Sequence, residues 1–343
     1  MKKVILGVAM IAAFGITATA AMADTLADVK AKGFIQCGVS PSTPGFALPD
    51  ASNNWAGLDV EYCKAMAAAV FNDVNAVRYS PLTSTERFAS LANGEVDVLS
   101  RTTTWTMGRD TSLGITFTGV TYYDGQGFMV RKADGITSAS QLGGATICIE
   151  KGTTTELNAA DYFAANNLEY KPVVFEGEDE TVKAFEDGRC DVFTTDSSAL
   201  AGERALFANP DDYLILPEII SKEPLGPVVR QGDPIWFNIS RWTYYALLDA
   251  EELGVSSTNV DEMLGSDNPE IKRLLGVEGD FGTPMGLDKD WAYRIVKLVG
   301  NYAEIYNKTV GPDTPLKLAR GLNALWKDGG IAAGEHLERS LIL

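Results

Sequence analysis

LANGEVDVLSRT at positions 91–102 and FEDGRCDVFTTD at 185–196 are one piece of structure written twice. Each closes a helix on a glycine (Gly94, Gly188), places an acid next (Asp97, Asp191) and continues into a strand around Val98 or Val192. A glycine stop followed by a strand is a common αβ junction, so the pair gains its weight from what precedes it. Ahead of the first lie a short strand over 34–39 (FIQCGV), a helix over 58–70 (LDVEYCKAMAAAV) with apolar residues three and four apart, and a helix over 84–92. Ahead of the second lie a strand over 145–150 (ATICIE), a helix over 154–166, a strand over 172–175 and a helix over 178–186. The βαβαβ order therefore repeats, which predicts an α/β chain of two lobes. Open parallel sheets bind ligands beyond the carboxyl ends of their strands, so a shared crevice should hold the polar residues that follow those strands.

Such residues are present. RTTTWT (101–106) follows one strand, Thr195, Asp196, Ser197 and Ser198 follow its echo, and KGTTTE (151–156) opens a helix after ATICIE. Thr153 and Thr154 can aim hydroxyls and helix-start N–H groups at an anion; alternatively they cap the helix, with Glu156 completing a capping box. Arg109 offers a permanently charged fork suited to a carboxylate, or it pairs on the surface with Asp110. Asp196 can accept from an ammonium group, or cap the helix that follows. An arginine in one lobe and an aspartate in the other suit a zwitterion, the form of a free amino acid.

Composition narrows the function. The 343 residues carry 29 Lys and Arg against 46 Asp and Glu, a net charge of −17, with no basic cluster to hold a nucleic-acid backbone. The first 23 residues read as a signal peptide: Lys2 and Lys3, an apolar stretch to about Ala20, then Ala21-Met22-Ala23 before Asp24. Glycines and threonines interrupt the stretch, which disfavours a membrane anchor, and no cysteine follows the cleavage point, so the expected product is soluble and exported. Four cysteines in an exported chain point to disulfides. Three pairings are possible; the two-half organisation favours Cys37 with Cys63 and Cys148 with Cys190. A phosphate loop, a nucleophile elbow and an HExxH helix are all absent, and the single His336 rules out histidine metal triads. Neither a cofactor nor a metal is expected. Gly125-Gln126-Gly127 reads as a turn, the acidic run at 176–180 as a solvated loop and helix start, and RWTYYALLDAEEL and DWAYRIVKLVGNYAEIY as core helices.

At CGVSPSTPGF, GEVDVLSRTTTWTMGRDTSLG, YYDGQGFMVRK, KGTTTELN, GRCDVFTTD, ISKEPLGPVVRQGD and NYAEIY the chain resembles the periplasmic solute-binding proteins of polar amino-acid ABC transporters, in their general L-amino-acid branch. The resemblance runs over nearly all of the mature chain. It implies a type II periplasmic binding protein fold in which two lobes, joined by two crossovers, close by a hinge. Lobe one would take 24–124 and 224–343, with a helical C-terminal extension, and lobe two 125–223. It further implies that Arg109 grips the α-carboxylate with help from Thr102, Thr104, Thr153 and Thr154, that Asp196 holds the α-ammonium, and that Phe46 lines the side-chain pocket. Shorter relatives often have an aromatic and an acid near Thr43 and Ser40; this chain has neither at those positions, so broad specificity is expected. The function implied is a monomeric periplasmic receptor that delivers L-amino acids to a permease with an ATPase. The alternative is a dehydratase acting on prephenate or arogenate on the same scaffold, for which the sequence shows no evident general acid.

Overall fold

The computed structural model describes residues 24–335. The segment read as a signal peptide, and His336 with the residues after it, lie outside the described residues.

Two five-stranded sheets organise the chain. In lobe one the order is Val77–Pro81, Ile35–Val39, Val98–Leu99, Val228–Arg230, Ile115–Phe117; in lobe two it is Lys171–Phe175, Thr146–Glu150, Val192–Asp196, Gln126–Arg131, Tyr213–Ile215. The first three strands of each pair in parallel, and the fourth pairs antiparallel with both of its neighbours. Between the sheets runs an antiparallel ribbon of Tyr122–Asp124 and Glu223–Leu225. The fourth strand of each sheet follows directly from one ribbon strand, so the chain crosses into a lobe and at once joins its sheet.

Helix Leu58–Phe71 shows why the lobe-one core forms. It is buried almost all round, and its run of alanines lets the helices Pro234–Glu252 and Trp291–Leu298 pack close. It begins at Gly57, where φ is +131° and a Cβ would stand 2.1 Å from the Phe46 carbonyl oxygen, so only glycine fits. The aromatic C-terminal stretches fold as helices whose Trp236, Tyr244, Trp291, Tyr302 and Tyr306 are buried in the same core. They also brace the ribbon: Tyr302 Oη donates to the Thr121 carbonyl at 2.6 Å, and the Asn323 amide exchanges hydrogen bonds with the backbone of Tyr123.

Cys37 is bonded to Cys63 and Cys148 to Cys190, the pairing expected from the repeated halves. Each ties a strand to a neighbouring element of its own lobe. With 26 and 42 residues separating the partners, the chain-entropy account assigns each about 3.5 to 4 kcal/mol. Neither bridge spans the ribbon, so neither opposes motion about it. The stretch Gly125-Gln126-Gly127 departs from its reading as a turn: Gln126 and Gly127 begin a strand, and the buried Gln126 amide donates to Thr194 Oγ1 at 2.9 Å. Strand pairing with Asp196 and Thr195 prevails over the local glycine signal.

Candidate functional site at the interlobe cleft

All six parallel strands point their carboxyl ends at one cleft. From lobe one come Thr43, then Ser84 and Arg87, then Arg101, Thr102 and Thr104, each group following a different strand. From lobe two come Glu150 and Thr153 to Thr155, then Glu178, then Thr195, Asp196 and Ser198. The lobes are closed on a cavity of about 40 Å³, room for a few waters, so a ligand enters only as they part. Several contacts hold them together: Thr43 Oγ1 donates to Glu178 at 2.7 Å, Arg101 lies 3.6 Å from Glu150, and the Thr104 and Thr154 hydroxyls meet at 3.4 Å. A larger cavity of about 330 Å³ is lined by Asp249, Glu252, Glu270 and Trp326, with no lobe-two residue at its wall. The cleft is distinguished by buried polar atoms that make no hydrogen bond: Ser84 Oγ and Arg87 Nε, and Arg101 Nη2 and Glu150 Oε1, which face each other only as an ion pair at 3.6 Å. Buried groups left so are costly, and four around one cavity mark a surface built to meet a polar ligand.

Thr102, Thr104, Thr153, Thr154 and Asp196 line this cleft. Thr102 holds φ at +39°, a conformation that β-branched residues rarely adopt and that costs of order 1 to 3 kcal/mol. Asp59, in the first turn of helix Leu58–Phe71, secures it: the Asp59 carboxylate accepts from the Thr102 N–H at 2.9 Å and the Ser100 hydroxyl at 2.8 Å. Burial raises the Asp59 carboxyl to about 6 despite those bonds and the nearby Arg101. Arg109 rises from helix Met107–Ser112 and is not itself among the residues lining the cavity. Its Nη1 donates to the Thr104 carbonyl at 2.9 Å, and its guanidinium lies 5.3 Å from the Phe88 ring centre, not on Asp110. Glu223 and Asp196 both lie within its electrostatic reach.

Capping does not account for the lobe-two residues. Thr153 and Asp196 occupy N-cap positions, yet neither side chain caps its helix. The Thr153 hydroxyl turns back to the Glu150 carbonyl, and Thr154 donates to Glu223 at 2.9 Å. Asp196 sits in an acidic ring: burial first, then Asp124, Glu223 and Glu178, push its carboxyl well above the usual range, with Arg87 opposing. Asp124 and Glu223 face each other on the two ribbon strands, and both are fastened to lobe two, through Ser197 and through Thr154 and Asn158. An ammonium group beside Asp196 would meet concentrated negative potential.

Phe46 is 1% exposed, edge-on to Tyr122 at 5.2 Å, and like Arg109 is not among the residues lining the cavity. The acidic run at 176–180 is not wholly solvated: Glu178 is buried and reaches across to lobe one. Ser84, Arg87, Glu150 and Glu178, which the sequence reading did not single out, follow or end parallel strands; Ser84 and Arg87 follow Val77–Pro81, a strand that reading did not find, while Arg101 lies in the RTTTWT segment already placed after a strand.

The buried acids carry a consequence for stability. Glu178 is pushed up to about 7 and Glu203 to about 9, in both cases chiefly by burial. In the unfolded chain such carboxyls titrate near about 4, so between the two values the folded state binds more protons. Stability then falls as pH rises. Denaturant unfolding of the ligand-free protein at constant ionic strength is expected to show decreasing stability from about pH 5 to about pH 9; a flat or rising profile would refute the acidic-ring description.

Comparison with known proteins bears on this geometry. The model of bacterial extracellular solute-binding proteins, family 3, matches residues 35–254. The general L-amino acid-binding periplasmic protein AapJ of Rhizobium johnstonii is 59% identical over 334 residues, covering 96% of this chain and 98% of that protein. The glutamate/glutamine/aspartate/asparagine-binding protein BztA of Rhodobacter capsulatus is 53% identical over 322 residues, covering 94% and 95%. A periplasmic binding protein of Brucella ovis, solved with glutathione bound, superimposes with a TM-score of 0.90 at 58% identity, over 91% of this chain and 99% of that one.

Proposed function

The chain belongs to the bacterial extracellular solute-binding proteins of family 3, and on that footing we propose that it is a periplasmic receptor for free L-amino acids of several side-chain types. The observation that carries this reading is the pairing, across one closed cleft, of Arg109 and the Thr104 and Thr154 hydroxyls with Asp196 in its acidic ring. In it, Arg109 takes the α-carboxylate and Asp196 the α-ammonium, while Thr102, Thr153 and Thr154 supply short-range hydrogen bonds. The lobes divide at the ribbon into 24–124 with 224–343, and 125–223. A zwitterion touching both lobes stabilises the closed state by its differential contacts, and closure excludes water, strengthening each charged hydrogen bond. Export by cleavage after Ala23, a monomeric state, and delivery to a permease coupled to an ATPase complete the proposal. The names of the relatives support a range of ligands: one is general for L-amino acids and another takes acids and their amides. Glutathione, held by the Brucella protein, itself ends in a free α-amino acid head.

A second reading keeps one specific support. A dehydratase needs a carboxylic acid beyond the α-carbon clamp, and Glu178, held near 7 by burial, is such a group. Calorimetric titration of ligand-stripped protein with a panel of L-amino acids, prephenate and arogenate separates the two. Binding of several amino acids without turnover is expected; consumption of prephenate or arogenate with no amino-acid binding would overturn the receptor reading.

A further inference from the structure

The cleft is also lined by Glu178, the first residue of helix Glu178–Glu186, which no step of the proposed grip on an α-amino acid head uses. Its carboxylate leaves its own lobe to accept from Thr43 Oγ1 at 2.7 Å and from Ser40 Oγ at 3.5 Å. Both donors follow the first strand of lobe one, where the resemblance to shorter relatives would place an acid and an aromatic. Lobe two thus supplies from the opposite wall the negative charge that lobe one lacks.

The charged groups around Glu178 define what it can meet. Arg101 faces it from lobe one, Glu150 from the neighbouring strand and Asp179 from its own helix. Glu203, on helix Ser197–Leu206, faces Glu178, Asp179 and Glu186, and Asp196 also feels Glu178. Arg101 acts on Glu178, and it is already engaged, through Nε on the Leu82 carbonyl at 2.9 Å and towards Glu150. Glu150 Oε1 is left without a hydrogen bond. Among the groups acting most strongly on Glu178, the carboxylates of Glu150 and Asp179 outnumber the Arg101 guanidinium.

We propose that Glu178 is a specificity-determining residue that admits amino acids whose side chains end in an ammonium or a guanidinium group. This rests on the reading that the cleft takes free amino acids, and it adds which groups decide among them. A cationic side chain pairs with Glu178; an acidic side chain is received by Arg87 and Arg101 while Glu178 is protonated. The group titrates near 7, so the order of preference depends on pH: as pH rises through that value Glu178 ionises, cationic ligands gain and acidic ligands lose.

The test is calorimetric titration of the full mature protein with L-arginine, L-glutamine and L-glutamate, each across about pH 6 to pH 8.5, a range that spans the titration of the group. In the wild type the ratio of arginine to glutamate affinity should rise with pH. In Glu178→Gln the ratio of arginine to glutamine affinity should fall by about tenfold or more, and its pH dependence should disappear. A wild-type protein that binds glutamine but shows an arginine-to-glutamate ratio independent of pH overturns this inference and leaves the receptor reading standing. An unchanged arginine-to-glutamine ratio in Glu178→Gln does the same. Should that variant not fold, the wild-type profile decides alone. If no amino acid binds the wild type, the receptor reading fails, and this inference with it.

Discussion

Replacing Arg109 with alanine is expected to lower the affinity for every free amino acid by on the order of a hundredfold or more, whatever the side chain. The magnitude follows from leaving a buried carboxylate without its charged partner, a loss of several kcal/mol in a water-poor site. The uniformity follows from position. Arg109 is held by the Thr104 carbonyl and the Phe88 ring, and in the proposed reading it meets the part common to all ligands. Its helix is only six residues long and buries none of its side chains, so truncation should cost little stability. Calorimetry on Arg109→Ala, with unfolding measured in parallel, separates the two effects. Unchanged affinity for glutamine and alanine in a folded variant would show that the carboxylate is gripped elsewhere.

The unequal legibility of the site has a physical cause. The helices and strands are visible because their signals are local: glycine stops at 94 and 188, apolar spacing along 58–70, β-branched runs in the strands. Thr102, Thr104, Thr153, Thr154 and Asp196 were legible because each follows a strand whose place in the repeat was already clear. Arg87 was not, because TSTERF reads as an ordinary helix start, and its burial arises from Arg101, Arg109 and lobe two closing around it. Glu178 was hidden for the opposite reason. It sits in a run of five residues with four acids, a pattern that normally means solvation, and only the approach of Thr43 from the other lobe buries it. Contacts across the hinge leave no periodic trace in sequence, and they decide the chemistry of this cleft.

Closure can be tested apart from ligand chemistry at Gly202. This glycine lies on the helix Ser197–Leu206 of lobe two, and a Cβ there would stand 2.9 Å from the Pro44 carbonyl oxygen of lobe one. The near neighbour is backbone, which cannot move aside as the tip of a flexible side chain would. Within its own helix, leucine is a better helix former than glycine by about 1 kcal/mol, so Gly202→Leu should leave the separate lobes as stable as before. What it obstructs is their approach. With the closed state disfavoured by several kcal/mol, ligand affinity should fall on the order of a hundredfold for all amino acids together, although no residue assigned to the ligand has changed. Small-angle scattering should then show the variant extended with or without ligand, while the wild type becomes more compact on binding. Wild-type affinity in Gly202→Leu would mean that Pro44 and helix Ser197–Leu206 do not come together in the bound state, and that the closed arrangement described here is not the one that holds the ligand.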